Sequence, residues 1–405
     1  MKINFLSCNY NNIPITNNLD WNGIQSNQNS LSHILSDDQK FFHLTDIPES
    51  PFFFNYEWNW WFREKMFELG NGFNEHLPIP LTVLNRIKNQ TAYLTITIAM
   101  ESWVRDDDLK AIHPYIKNLE LPKTNVILFT ASPNGDVIYK KYCKENNLEE
   151  CFTVEYLPFH HAIFKEQTNM NVDRVYNIEE REKDFFLLNR RWHSHRVLLL
   201  YYLEKLNLLE KSFVSFLNFD ENVNVKYRDA FNYFQYLISE SKDYELVDKI
   251  EKKLPLVLDT PDLSGIQYMY LNNDKLEYFY KNSFIHLISE TFFFTDIIHV
   301  TEKTFKPMYY KQPFIAITSP YFLKFLKESG FKTFGDVWDE SYDDELNHEK
   351  RFFKILNLLT ELSQLPMEKK LSIMEQCREI VEYNFDKLKS TSISQISYLV
   401  QKYGS

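Results

Sequence analysis

Short runs of β-branched and aromatic residues alternate with stretches of helical spacing, and the alternation runs twice, once on each side of a polar segment. No other property of the chain constrains its fold as much. A strand that returns to the same sheet through a helix pairs in parallel, so serial strand–helix units build parallel α/β layers. In the first series, residues 3–7, 41–45, 92–99, 126–130 and 152–157 read as strands, with Thr95 and Thr97 favouring extension. Residues 106–118 and 134–146 read as helices, the former opened by three acids that suit a first turn.

Residues 166–183 are polar and charged and form the expected linker. The alternation then restarts. Residues 185–188, 213–217, 284–288 and 314–317 read as strands. Val197, Leu200, Leu203 and Leu206 set a helix over 194–209, and further helices are expected over 230–238 and 321–327, the last ended by Gly330. Residues 346–399 read as two or three packed helices.

Two series on one chain predict an α/β fold of two Rossmann-like domains facing across a cleft, with a helical C-terminal segment. The divisions expected are 1–165, a linker 166–183, 184–380, and a C-terminal helix and tail 381–405. A length of 405 residues exceeds what one core usually supports, and 44% hydrophobic content supplies two. Ligands of such sheets sit beyond the carboxyl ends of strands. With only 8 glycines there is neither a GxGxxG run nor a P-loop, which speaks against the commonest dinucleotide and ATP-binding signatures but not against a nucleotide held by side chains.

A net charge of -11 argues against a protein that grips long nucleic acid through its phosphates. The four cysteines form no CxxC pair and read as reduced thiols. Residues 1–10 lack the apolar run of a secretory leader, and no stretch of about 18 apolar residues is present. A cytoplasmic protein is the expectation.

Two constellations carry chemistry. The first, Asn189-Arg190-Arg191-Trp192-His193-Ser194-His195-Arg196, falls between a strand and a helix start, where cationic side chains meet free backbone donors. On an extended backbone Arg190 and Arg191 point to opposite faces, so at most one shares a site with Arg196. An exposed basic turn would read the same way. The second is Glu290 with His299-Val300-Thr301-Glu302-Lys303-Thr304-Phe305-Lys306-Pro307. If Thr301 caps a helix there, Glu302 and Lys303 lie in its first turn, with Phe305, Met308 and Tyr309 on its buried side. A carboxylate so placed can accept from ribose hydroxyls, and an ammonium can neutralise a departing diphosphate. A helix cap followed by an exposed ion pair would have the same sequence.

The run Phe284-Ile285-His286-Leu287-Ile288-Ser289-Glu290, then His299-Val300-Thr301-Glu302-Lys303 and Gln312-Pro313-Phe314-Ile315, resembles the donor-domain signature of fucosyltransferase-like glycosyltransferases. The run Leu188-Asn189-Arg190 with Arg196 resembles that family's strand–basic residue–helix element. The resemblance covers roughly residues 184–339 and is nearest to divergent microbial and viral members. It implies a GT-B architecture in which 1–165 serves the acceptor and 184–380 binds the nucleotide sugar. It further implies that Arg196 and Lys303 hold the donor diphosphate, with Asn189, Arg190 and Thr301 beside them, and that Glu302 binds the ribose. Glu290 would orient the donor sugar or a neighbouring side chain. Thr291 and Phe292 stand where an Asn is usual, so the resemblance points to nucleotide-sugar handling and not to GDP-fucose in particular.

An inverting transfer also needs a base near the acceptor hydroxyl. Glu101, nearest the end of strand 92–99, is the first candidate and Asp106 the second; surface acids at a helix start would look alike. The pairs His160-His161 and His193/His195 lack a third ligand at a metal-binding spacing, so no cofactor and no essential metal are expected. The aromatic run 56–61 reads equally as a sugar-stacking wall or a buried cluster. The function expected is inverting transfer of a sugar from a nucleotide-sugar donor to a hydroxyl acceptor, a glycan or a modified base of DNA. A nucleic-acid interaction protein and a catalytically inactive scaffold are the alternatives.

Overall fold

The computed structural model describes residues 4–7, 41–42, 52–57, 79, 81–98, 106–158, 160–161, 164–165, 168–189, 192–216, 226–258 and 274–390. Two compact units divide them, one closing at Glu166 and the other running from Gln167 to Thr391.

The first unit holds a six-stranded sheet: β1 (Asn4–Ser7), β2 (Phe41–Phe42), β3 (Phe52–Glu57), β4 (Tyr93–Ile98), β5 (Val126–Thr130) and β6 (Thr153–Tyr156). Their order is β2-β1-β3-β4-β5-β6, every pair parallel. Helices α1 (Leu81–Lys88), α2 (Asp106–Asn118) and α3 (Gly135–Glu145) supply the crossovers from β3 to β4, β4 to β5 and β5 to β6. All five residues of β5 are buried, as an inner strand of a parallel sheet covered on both faces requires. Leu94 and Ile96 of β4, Leu109, Ile112 and Ile116 of α2, and Tyr139 of α3 share one core. Gly135 lets α3 start against β5: a Cβ there would lie 2.5 Å from Thr130 Cγ2.

The aromatic run at 56–61 is partly a strand. Tyr56 and Glu57 close β3, which lies between β1 and β4; residues 58–61 lie outside the described residues.

The second unit holds a four-stranded sheet of β7 (Lys183–Asn189), β8 (Ser212–Phe216), β9 (Ser283–Ser289) and β10 (Phe314–Ile317). The order β10-β9-β7-β8 is again wholly parallel. Around it lie α4 (Ser194–Lys205), α5 (Tyr227–Phe234), α6 (Tyr244–Lys253), α7 (Asp274–Lys281), α8 (Glu302–Tyr309), α9 (Phe322–Glu328), α10 (His348–Gln364) and α11 (Met367–Ser390). All seven residues of β9 are buried. Gly330, at φ +84°, sits just past α9 in the left-handed region that stops a helix.

From β7 the chain goes to β8 on one side and then crosses to β9 on the other. The crevice between β7 and β9 is therefore the topological switch point, where a doubly wound sheet receives ligands at the carboxyl ends of its strands.

Two sequence boundaries change. Residues 168–182 belong to the second unit and carry no helix or strand. The division expected at 380/381 falls inside α11, which continues because Cys377, Ile380, Val381, Asn384 and Phe385 keep one face buried. No helix among the described residues is long and apolar enough to cross a membrane.

Candidate functional site

Three segments of the second unit converge on the switch point. β7 delivers Asn189 at its carboxyl end, β9 delivers Ser289 and then Glu290, and the starts of α4 and α8 follow. The strands pair Phe186 with His286, and from there β7 runs on to close at Asn189 and β9 at Ser289.

Glu290 is fully buried. Its Oε1 accepts the Thr301 N–H at 2.9 Å and the Thr304 hydroxyl at 2.7 Å, and its Oε2 accepts the Thr301 hydroxyl at 2.8 Å. Three donors pay the desolvation of this carboxylate, which otherwise would be prohibitive. Thr301 is the N-cap of α8: its backbone is extended, at φ -119° and ψ -173°, and its Oγ1 accepts the Lys303 N–H at 3.3 Å. The acid expected to orient the donor sugar or a neighbouring side chain anchors the helix that carries Glu302 and Lys303.

Lys303 Nζ lies 3.2 Å from Thr301 Oγ1, 3.7 Å from Glu290 Oε2 and 3.8 Å from Glu302 Oε1. Its side chain is 23% exposed, against 7% for Glu302. An ammonium therefore stands in the first turn of α8, where the helix dipole already favours an anion. Behind it Phe305, Met308 and Tyr309 are buried, as the helical spacing predicts. Pro307 stands sixth in this eight-residue helix and not at its start.

Arg196 is buried, and two of its nitrogens serve β9. Nε donates to Ser289 Oγ at 3.2 Å, while Nη2 donates to the carbonyls of Ser289 at 2.8 Å and Glu290 at 3.2 Å. Beside it His195 Nε2 sits 2.9 Å from the Glu290 carbonyl and 3.2 Å from Ser289 Oγ. A carbonyl only accepts, so Nε2 carries the proton. Burial, with Arg196 and His193 close by, holds this imidazole well below its ordinary range and keeps it neutral. The start of α4 is thereby pinned to the end of β9.

Asn189 is 2% exposed, and neither its amide nitrogen nor its carbonyl oxygen has a hydrogen-bond partner. A buried amide with both ends unpaired is rare in a folded chain and costs stability. It stands at the strand end where a ligand of this sheet would lie.

Of the remaining expected residues, Asp106 is exposed at the start of α2 in the first unit. Glu101 and Arg190 lie outside the described residues. His195, Ser289 and Thr304 belong to the site although sequence reading did not select them. Their partners are 14 to 95 positions away in sequence, and Ser and Thr carry no motif of their own.

No family model matches the sequence, and no curated protein matches it. Among solved structures the chain is similar to the DNA-modifying enzyme beta-glucosyltransferase, crystallised with and without its substrate uridine diphosphoglucose. The TM-score is 0.40 and the identity 11%, over 100% of both chains. Superposition at that level does not transfer the neighbour's chemistry to this chain.

Proposed function

We propose that the second unit binds a nucleotide sugar and that the protein is a metal-independent, inverting glycosyltransferase. The observation that carries this reading is the placement of Lys303, in the first turn of α8, with Asn189 and Glu302 at the switch point of a parallel sheet. A diphosphate suits a helix N-terminus with an adjacent ammonium, and Glu302 can accept from ribose hydroxyls. The unpaired Asn189 amide offers its two N–H donors and its carbonyl acceptor to the same ligand.

In this reading Glu290 and Arg196 act through others. Glu290 sets the cap that aims Lys303, and Arg196 fixes α4 against β9, so the anion meets a preformed cradle. Lys303 would stabilise the departing nucleoside diphosphate as the acceptor hydroxyl attacks the anomeric carbon. Glu101 is the first candidate for the base that removes the hydroxyl proton and Asp106 the second; the acceptor is a hydroxyl of a glycan or of a modified nucleobase.

Thermal shift against a panel of nucleotide sugars tests the proposal. One donor should raise the melting temperature of the wild-type protein and, at the same concentration, raise that of Lys303→Ala by clearly less. Stabilisation by no nucleotide sugar, or equal stabilisation of the variant, would overturn it.

A further inference from the structure

At the edge of the second sheet opposite the candidate site, where β7, β9 and β10 begin, the chain forms a cavity of about 300 Å³. Arg181, Lys281 and Gln312, each two residues before one of those strands, line it together with Arg174, Tyr280 and Lys311. That volume is within the range that takes small molecules.

The charges of its wall do not cancel internally. Glu277 is shared by Arg174 at 3.3 Å and Lys281 at 2.7 Å, and Lys311 is paired with Glu382 at 2.5 Å. Arg181 is 9% exposed, and its hydrogen bonds all go to neutral oxygens: the carbonyls of Tyr280, Ser283 and Asn177 and the side chain of Gln312. No carboxylate pairs with it among the described residues. A buried cation whose hydrogen bonds reach only neutral dipoles, with the Glu179 charge acting from beyond ion-pair distance, is costly, and a bound counter-anion reduces that cost.

Three polar atoms of the wall point to the same chemistry. Arg174 Nε, Arg181 Nε and Tyr280 Oη are buried without a hydrogen-bond partner, and each can donate. The Arg174 guanidinium is held over the Tyr309 and Tyr310 rings, at 4.2 and 4.1 Å, and Tyr310 stacks on Tyr280 at 4.1 Å. Lining residues Asp173 and Glu179 are exposed acids, a feature that opposes a polyanion while tolerating a single small one.

We infer that this cavity binds a compact oxyanion, the phosphate or carboxylate of a small molecule, independently of the candidate donor site. The test uses the full chain carrying Lys303→Ala, so that an anion at α8 does not contribute, titrated by calorimetry with inorganic phosphate and separately with acetate. Saturable binding of one ion is expected, which tells the two sources apart. Arg174→Gln should weaken it about tenfold. Tyr280→Phe, which removes a hydroxyl that bonds nothing and so leaves the fold intact, should weaken it several-fold. Absence of saturable binding by both ions, or binding unchanged in both variants, would overturn the inference. Nucleotide-sugar stabilisation of the chain with Lys303 in place tests the donor proposal separately.

Discussion

Thr301 holds the Glu290 carboxylate with both of its donors, the backbone N–H at 2.9 Å and the hydroxyl at 2.8 Å. The cap of α8 and the end of β9 are thereby one rigid piece, and Thr304 adds a third bond at 2.7 Å. Thr304→Val keeps the shape and removes that bond, leaving a buried charge with one donor fewer. Urea denaturation should show a loss of about 1–3 kcal/mol. A loss of a few tenths would mean that the carboxylate does not depend on α8.

Among the described residues Lys303 makes no short ion pair, its nearest carboxylate oxygen being 3.7 Å away. Lys303→Met should therefore change the stability of the ligand-free protein by about 1 kcal/mol or less. Its effect belongs to the ligand: nucleotide-sugar affinity should fall by about 10- to 100-fold, as loss of one charge-assisted contact implies. Calorimetry against the stabilising donor reads both quantities.

Asn189→Leu should separate stability from binding. Removing a buried amide whose two polar atoms are unpaired leaves no partner unsatisfied, so melting of the ligand-free protein should stay level or rise. Donor affinity should drop in the same variant. A protein that melts lower and binds equally well would place Asn189 in the framework and not in the site.

Acid should destabilise the second unit through its buried histidines. His286, packed on Tyr280 and Phe186, is driven down from 6.5 to about 3 by burial, with Lys306 nearby. Between those values the unfolded chain binds a proton that the folded chain refuses, so stability falls as pH drops below 6.5. One such group contributes a slope of about 1.4 kcal/mol per pH unit. His286→Phe should lessen the measured slope by that amount between pH 6 and about 4; an unchanged slope would put the proton uptake elsewhere, with His195 the next group to replace.

Much of this fold can be read in one dimension. The strands at 126–130 and 314–317 and the helix at 106–118 lie where their residues predict, because each is a dense local pattern with a clear stop. β3 was not legible as a strand, since Phe52–Glu57 opens on three consecutive phenylalanines and runs into further aromatics, so its alternation over the last four residues does not set it apart from a core cluster. In the site, the cap by Thr301 was legible because capping is local. The binding of Arg196 to Ser289 was not, because sheet order decides which strand end meets which helix start and spacing along the chain does not encode it.

The Arg181 clamp also bears on how the chain can be divided. One guanidinium ties the segment ahead of β7, at Asn177, to the carbonyls of Tyr280 and Ser283 and to Gln312. A fragment beginning at Asp184 would carry all four core strands almost whole and still lack the side chain that gathers three of their starting ends. The second unit is separable only with its leading strap, so an excised or transplanted version has to begin near Gln167, where the compact unit itself begins.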